Sequence, residues 1–96
     1  MTLLTVLNKV IGDDKMTMMR TIWAIADEVN QDWKKPYFGA VPYLDAMRSL
    51  STIRENYYDD SAESVVMYFL ANAKGWRGEV AKRVKLELKT MLKEVA

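Results

Sequence analysis

The sequence contains no cysteine and no histidine, and it has only four glycines and two prolines. Without cysteine, the chain can form no disulfide and offers no thiolate to a metal, so nothing in its composition requires an oxidising compartment. Without histidine, it lacks the usual general base near neutral pH and the commonest metal ligand. These absences predict a protein that is not an enzyme and that uses no metal and no cofactor.

Long hydrophobic runs are also missing. No apolar stretch approaches the roughly 20 residues that a membrane-spanning helix needs, and residues 1–7 lack the basic start and the cleavage site of a secretion signal. Half of the residues are hydrophobic and 28% are charged, as in ordinary globular proteins. We therefore expect a cytoplasmic protein without a membrane partner.

Apolar residues recur mostly at three- and four-residue steps, the spacing that places them on one side of a helix. Gly12 suits a helix end, and Pro42 suits the first position of a helix. Strand signals are weak throughout, so the sequence predicts an all-α fold, a compact single-domain bundle of about five helices over residues 1–96. The predicted helices cover about residues 3–11, 15–33, 42–56, 60–73 and 78–95.

The last two predicted helices have the clearest local signals. Asp60 and Glu63 have the spacing of a capping box, with aspartate in place of the usual serine or threonine. Residues 65–70 are apolar on nearly every side, which favours a helix buried in the middle of the bundle. The last helix has a regular predicted core stripe of Val80, Val84, Leu88, Met91, Leu92 and Val95.

Charge is divided unevenly along the chain. Residues 74–93 hold seven basic residues against two acidic ones, a net charge of +5, while the rest of the chain carries −4. One interpretation is that both regions are solvated helix faces whose charges suit the helix dipoles. The other is that the basic last helix steers an acidic partner, either a protein surface or nucleic acid.

The break at residues 74–78 places Trp76 and Arg77 between two glycines. The tryptophan either fills the end of the bundle or stands exposed as an anchor for a partner, where a neighbouring arginine would make a typical hot-spot pair. Leu86 is predicted to project among the lysines of the last helix, as a lone exposed leucine, a partner contact or a homodimer seam. The predicted partner-binding residues are Trp76, Arg77, Lys82, Lys85, Leu86 and Lys89.

Two nucleic-acid patterns are also present. Gly75 follows Ala71 by four residues and precedes a basic helix, as in a helix-turn-helix, although Lys74 occupies a position that is normally apolar. Residues 33–38 interleave aromatic rings with Lys34 and Lys35, as in single-strand binders; alternatively, Trp33 and Phe38 turn inward.

Four segments resemble small accessory proteins of tailed bacteriophages: Tyr-Leu-Asp-Ala-Met at 43–47, Asp-Ser-Ala at 60–62, Tyr-Phe-Leu-Ala-Asn-Ala at 68–73 and Trp-Arg-Gly-Glu at 76–79. The likeness covers about residues 43–92. It implies a viral protein that binds and disables a host machine, and anti-CRISPR and other anti-defence inhibitors are prominent among small phage proteins. It carries over no catalytic residue.

These observations lead to one main hypothesis and one alternative. The main hypothesis is a phage-encoded accessory protein that acts in the host cell cytoplasm. It would bind a host protein complex, of defence or transcription, and inhibit it without catalysis during host takeover. The alternative is a helix-turn-helix-type regulator that binds DNA through its last helix.

Overall fold

The computed structural model describes residues 20–95, and this part of the chain is mostly helical. It contains α1 (Ile22–Asp32), α2 (Val41–Met47), β1 (Asn56–Tyr57), β2 (Asp60–Ser61), α3 (Ala62–Ala71) and α4 (Glu79–Val95). The predicted helix over residues 3–11 lies outside the described residues. The helical prediction is confirmed in its broad form, but the all-α prediction missed the two-stranded sheet.

Helix α1 begins at Ile22 because Thr21 caps it. The Thr21 hydroxyl accepts a hydrogen bond from the Ala24 N–H group at 3.2 Å, and the Ile22 N–H group donates to the Ser51 carbonyl at 3.0 Å. Both bonds satisfy donors that a helix start leaves free. The prediction of one helix over residues 15–33 is wrong at Thr21, whose backbone is extended.

Helix α2 ends at Met47, so the predicted helix over residues 42–56 is too long. The N–H groups of Ser49 and Leu50 donate to carbonyl oxygens three residues earlier, which tightens the chain into turns. Leu50 and Ile53 nevertheless remain in the core, at 1% and 5% exposure. Their spacing is that of apolar residues in a continuing helix. The chain instead reaches the core at these residues through non-helical turns.

The sheet is a short antiparallel hairpin directly before α3. Asn56 pairs with Ser61 and Tyr57 pairs with Asp60. At the tip, Tyr58 has a left-handed backbone (φ 55°) and an 87% exposed side chain. A two-residue strand gives too little alternation to be recognised in a sequence.

Ser61, rather than Asp60, caps α3. The Ser61 hydroxyl accepts a hydrogen bond from the Ser64 N–H group at 3.1 Å. The predicted capping box of Asp60 and Glu63 is therefore wrong by one residue, and Glu63 instead lies in the first turn, where its charge suits the helix dipole.

One hydrophobic core joins all four described helices. Helix α3 buries Val65, Val66 and Phe69, but Met67 and Tyr68 are 57% and 55% exposed, so the helix is buried on one side only. Helix α4 confirms the predicted last helix to within one residue of its start, and it turns a regular apolar side inward. Its buried residues are Ala81, Val84, Leu88 and Met91, with Val80, Leu92 and Val95 packed at the margin.

Candidate partner-binding surface

Trp76 fills the core at the corner between α3 and α4. Its side chain is only 2% exposed, and its ring stacks on Trp33 at 5.8 Å and meets Phe69 edge-on at 6.5 Å. The indole N–H group donates to the Asp32 carboxylate at 2.8 Å. The prediction of Trp76 as an exposed partner-binding anchor is therefore wrong, because the ring is already packed and its single donor is satisfied.

The corner itself is longer than a helix-turn-helix turn. Residues 72–78 separate α3 from α4, seven residues where that motif has three or four. Gly78 has φ +112°, a conformation that side chains rarely adopt, and it lets the chain enter α4. Arg77 is exposed beside it. The partial helix-turn-helix pattern of the sequence therefore lacks the short turn that places two helices in that motif.

Lys85 contacts both the backbone and the ring of Trp76. Its ammonium group donates to the Trp76 carbonyl at 2.7 Å and lies 6.0 Å from the centre of the indole ring. The pKa of Lys85 is lowered, first by burial and then by the nearby cations Lys89 and Arg77. Lys85 is thus a partly buried ammonium group in a positive environment.

An open hollow of about 260 Å³ lies at this corner. Arg77, Lys82 and Lys85 bring three cations to it, so its electrostatic character is basic. Trp76, Gly78 and Ala81 supply its apolar part. The full lining is Trp76, Arg77, Gly78, Ala81, Lys82 and Lys85.

The hollow continues into an exposed side of α4. Lys82 and Lys89 are exposed, and Leu86 between them is 66% exposed. Within residues 20–95, neither lysine forms an ion pair. We call this surface the basic face; it comprises Arg77, Lys82, Lys85, Leu86 and Lys89. The predicted exposure is confirmed for all of these except Lys85, which is only partly exposed.

Two other charged residues of α4, Arg83 and Glu87, form ion pairs with residues of the segment that contains α1. Arg83 pairs with Glu28 of α1, and Arg20 reaches both Glu28 and Glu87, at 2.8 and 2.7 Å. The hydrogen bond from Arg83 lowers the pKa of Glu28, and Arg20 lowers it further. The Arg83 charge is thus paired with Glu28 although its side chain stays 55% exposed, so Arg83 differs from the unpaired Lys82 and Lys89.

Three exposed aromatic rings and the partly buried Tyr43 form a second surface, which we call the aromatic platform: Tyr37, Phe38, Tyr43 and Tyr68. The sequence singled out residues 33–38 but predicted no role for Tyr43 or Tyr68. No clear signal was present, since Tyr68 is three residues after the buried Val65, a spacing that groups both on one side of a helix. The inward alternative holds for Trp33, which packs on the core, and fails for Phe38, which is 79% exposed.

No three acidic side chains among residues 20–95 come together as metal ligands do. In the same range, no helix is both long and apolar enough to cross a membrane.

No protein-family model, no curated protein and no solved structure matches this chain.

Proposed function

We propose that this chain is a phage-encoded accessory protein that binds a host protein complex through its basic face and inhibits it without catalysis. The observation that carries the proposal is the basic face itself. Its cations gather on one side of α4, while the neighbouring Arg83 is paired with Glu28 of α1 and Glu87 with Arg20, just before that helix. Unpaired cations of this kind attract an acidic surface and speed its approach.

The chemistry of the face fits a protein partner. Leu86 offers an apolar contact at its centre, and Lys82 and Lys89 offer charge on either side. An aliphatic side chain among cations suits a protein surface that has its own apolar and acidic residues. The hollow beside Arg77 has room for an acidic side chain of that partner.

Two observations support inhibition by steric blocking. The lack of histidine and cysteine disfavours catalysis, and the phage resemblance supports a host target. An anti-defence role, including an anti-CRISPR role, and a role against the transcription machinery both fit this proposal. Either would place the protein in the host cytoplasm.

Charge reversal on the basic face tests the proposal. Tagged wild-type protein, Lys82→Glu/Lys89→Glu and the control Arg48→Glu/Arg54→Glu would be expressed in the host, and the captured proteins quantified. Both variants change the net charge equally, and all four residues are exposed. We expect the basic-face variant to lose its specific partner about tenfold or more, whereas the control retains it.

The captured partner would then be purified and its affinity measured against salt concentration. Exposed charge contacts are screened by salt, so the affinity should fall as salt rises. Thermal melting of each variant checks that the fold survives. Equal capture by wild-type protein and by a folded Lys82→Glu/Lys89→Glu variant would rule out this face.

A further inference from the structure

The aromatic platform exposes rings that a globular protein usually buries. Phe38 is 79% exposed, Tyr68 55% and Tyr37 51%, and Tyr43 is partly buried beside them. Three of these residues lie within or just after the loop that leads to α2, and Tyr68 lies on the outer side of α3. The platform is separate from the basic face, which has no exposed ring.

The rings form two contacting pairs. Tyr37 and Phe38 have ring centres 4.8 Å apart, and Tyr43 stacks on Tyr68 at 5.4 Å. Gly39 brings the loop of the first pair close to Asn72, because a Cβ atom there would lie 2.6 Å from the Tyr37 ring and 2.8 Å from the Asn72 side chain. The loop therefore lies directly against the end of α3, one helical turn after Tyr68.

Three exposed lysines lie close in sequence to the platform residues. Lys34 and Lys35 precede Tyr37 in the loop, and Lys74 follows the Asn72 contact; all three are exposed. In the described part of the chain they form no ion pair. Of the nearby acids, Asp32 already accepts the Trp76 indole N–H group, and Asp45 is two residues after Tyr43.

We propose that the aromatic platform binds single-stranded nucleic acid, with unpaired bases stacking on its rings and Lys34, Lys35 and Lys74 contacting phosphates. Every base has a flat face, so stacking on tyrosine and phenylalanine is tolerant of sequence. Duplex DNA keeps its bases stacked inside the helix and cannot use these rings. The basic face, with cations around a leucine, lacks a ring on which a base could stack.

Fluorescence anisotropy of labelled oligo(dT) and oligo(U), of about 12 nucleotides, tests the proposal at low salt. The informative variants are Phe38→Ala, Tyr37→Ala/Phe38→Ala and Lys34→Ala/Lys35→Ala. Trp23→Ala is the matched control, because Trp23 is another exposed ring, 47% exposed, at the opposite end of α1 from Trp33.

We expect the double ring variant to bind about tenfold or more weakly than wild-type protein, while Trp23→Ala binds as wild type. The lysine variant should reduce the slope of log affinity against log salt by about 1.4, since each phosphate contact on a single strand contributes about 0.7. Phe38 is exposed enough for its substitution to leave the fold intact, which thermal melting verifies.

Four results would overturn the proposal. Wild-type protein could fail to bind either oligonucleotide at low salt, or the folded ring variants could bind as tightly as wild type. A duplex of the same length could bind as tightly as the single strands, which would point to phosphate attraction alone. Loss of the host protein with unchanged oligonucleotide binding, in the Phe38→Ala variant, would make the platform a protein-docking surface. The oligonucleotide results do not depend on the basic face.

Discussion

The indole N–H group of Trp76 donates a hydrogen bond to the Asp32 carboxylate, 2.8 Å away. This bond joins the last residue of α1 to the corner between α3 and α4, across 44 positions of sequence. It gives the buried ring a polar partner at the edge of the core, as a buried tryptophan usually requires. The corner that carries Arg77 and the hollow is therefore positioned by α1.

Replacing Asp32 with alanine should lower the free energy of unfolding by about 1–2 kcal/mol, since the indole N–H group loses its acceptor. Trp76→Ala should cost about 3–5 kcal/mol, because it also empties a large space in the core. Urea denaturation measures both effects. Asp27→Ala is the control, as Asp27 is an exposed residue of the same helix. An Asp32→Ala variant as stable as wild type would show that this bond contributes nothing.

Acid should weaken the attachment of α4 to α1 through Glu28. Because its folded-state pKa is lowered, by the hydrogen bond from Arg83 first and then by Arg20, the unfolded chain binds a proton on Glu28 more readily. The stabilisation is therefore fully present above the unfolded pKa of about 4.3 and is lost as the pH falls through the folded value.

Glu28→Gln tests this expectation. Urea midpoints measured from neutral pH downwards should fall less steeply in the variant than in wild-type protein. Asp45→Asn provides the comparison, because Asp45 is exposed and makes no ion pair within residues 20–95. Parallel curves for wild type and Glu28→Gln would contradict the assignment.

Ser61 and Asp60 should differ in how much they stabilise the start of α3. Ser61→Ala should lower the free energy of unfolding by about 1 kcal/mol, because the Ser64 N–H group loses its acceptor. Asp60→Ala should change it by less than about 0.5 kcal/mol, since Asp60 contributes only its charge near the helix start. Chemical denaturation compares the two variants directly, and a larger loss for Asp60→Ala would restore the capping box that the sequence suggested.

The two glycines of the corner should differ in their tolerance of alanine. Gly78 has φ +112°, so Gly78→Ala strains the backbone and should cost about 1–3 kcal/mol. Gly75 faces open space and does not have that conformation, so Gly75→Ala should be neutral or slightly stabilising. Thermal melting of both variants tests the difference, and equal melting temperatures would argue against a strained entry into α4.

Regular periodicity made α4 predictable from sequence, and the Pro42 signal located the start of α2 to within one residue. The errors came where distant contacts decide the outcome. Thr21 starts α1 with help from the Ser51 carbonyl, 30 residues later in the chain, and no local pattern contains that bond. The end of α2 was missed because Leu50 continues the helical spacing of apolar residues without being helical.

The candidate surface was predictable in part for the same reason. The exposure of Lys82, Leu86 and Lys89 follows from the periodicity of a single helix. The burial of Trp76 depends instead on Trp33 and Asp32, which lie in another segment of the chain. Likewise, the pairing of Arg83 with Glu28 spans 55 positions, so the sequence could not separate neutralised cations from free ones.

Trp33 stacks nearly parallel on Trp76, 5.8 Å apart with 13° between the ring planes. Intrinsic tryptophan fluorescence should therefore report on this part of the molecule. Two of its three tryptophans sit together at the junction of α1 with the corner, and Trp23 is the more exposed emitter on the same helix. Opening of that junction would separate the two rings and expose both indoles to water, which would shift their fluorescence emission to longer wavelength. Spectroscopy on the unlabelled chain could thus follow this junction, with Trp23→Phe removing the background.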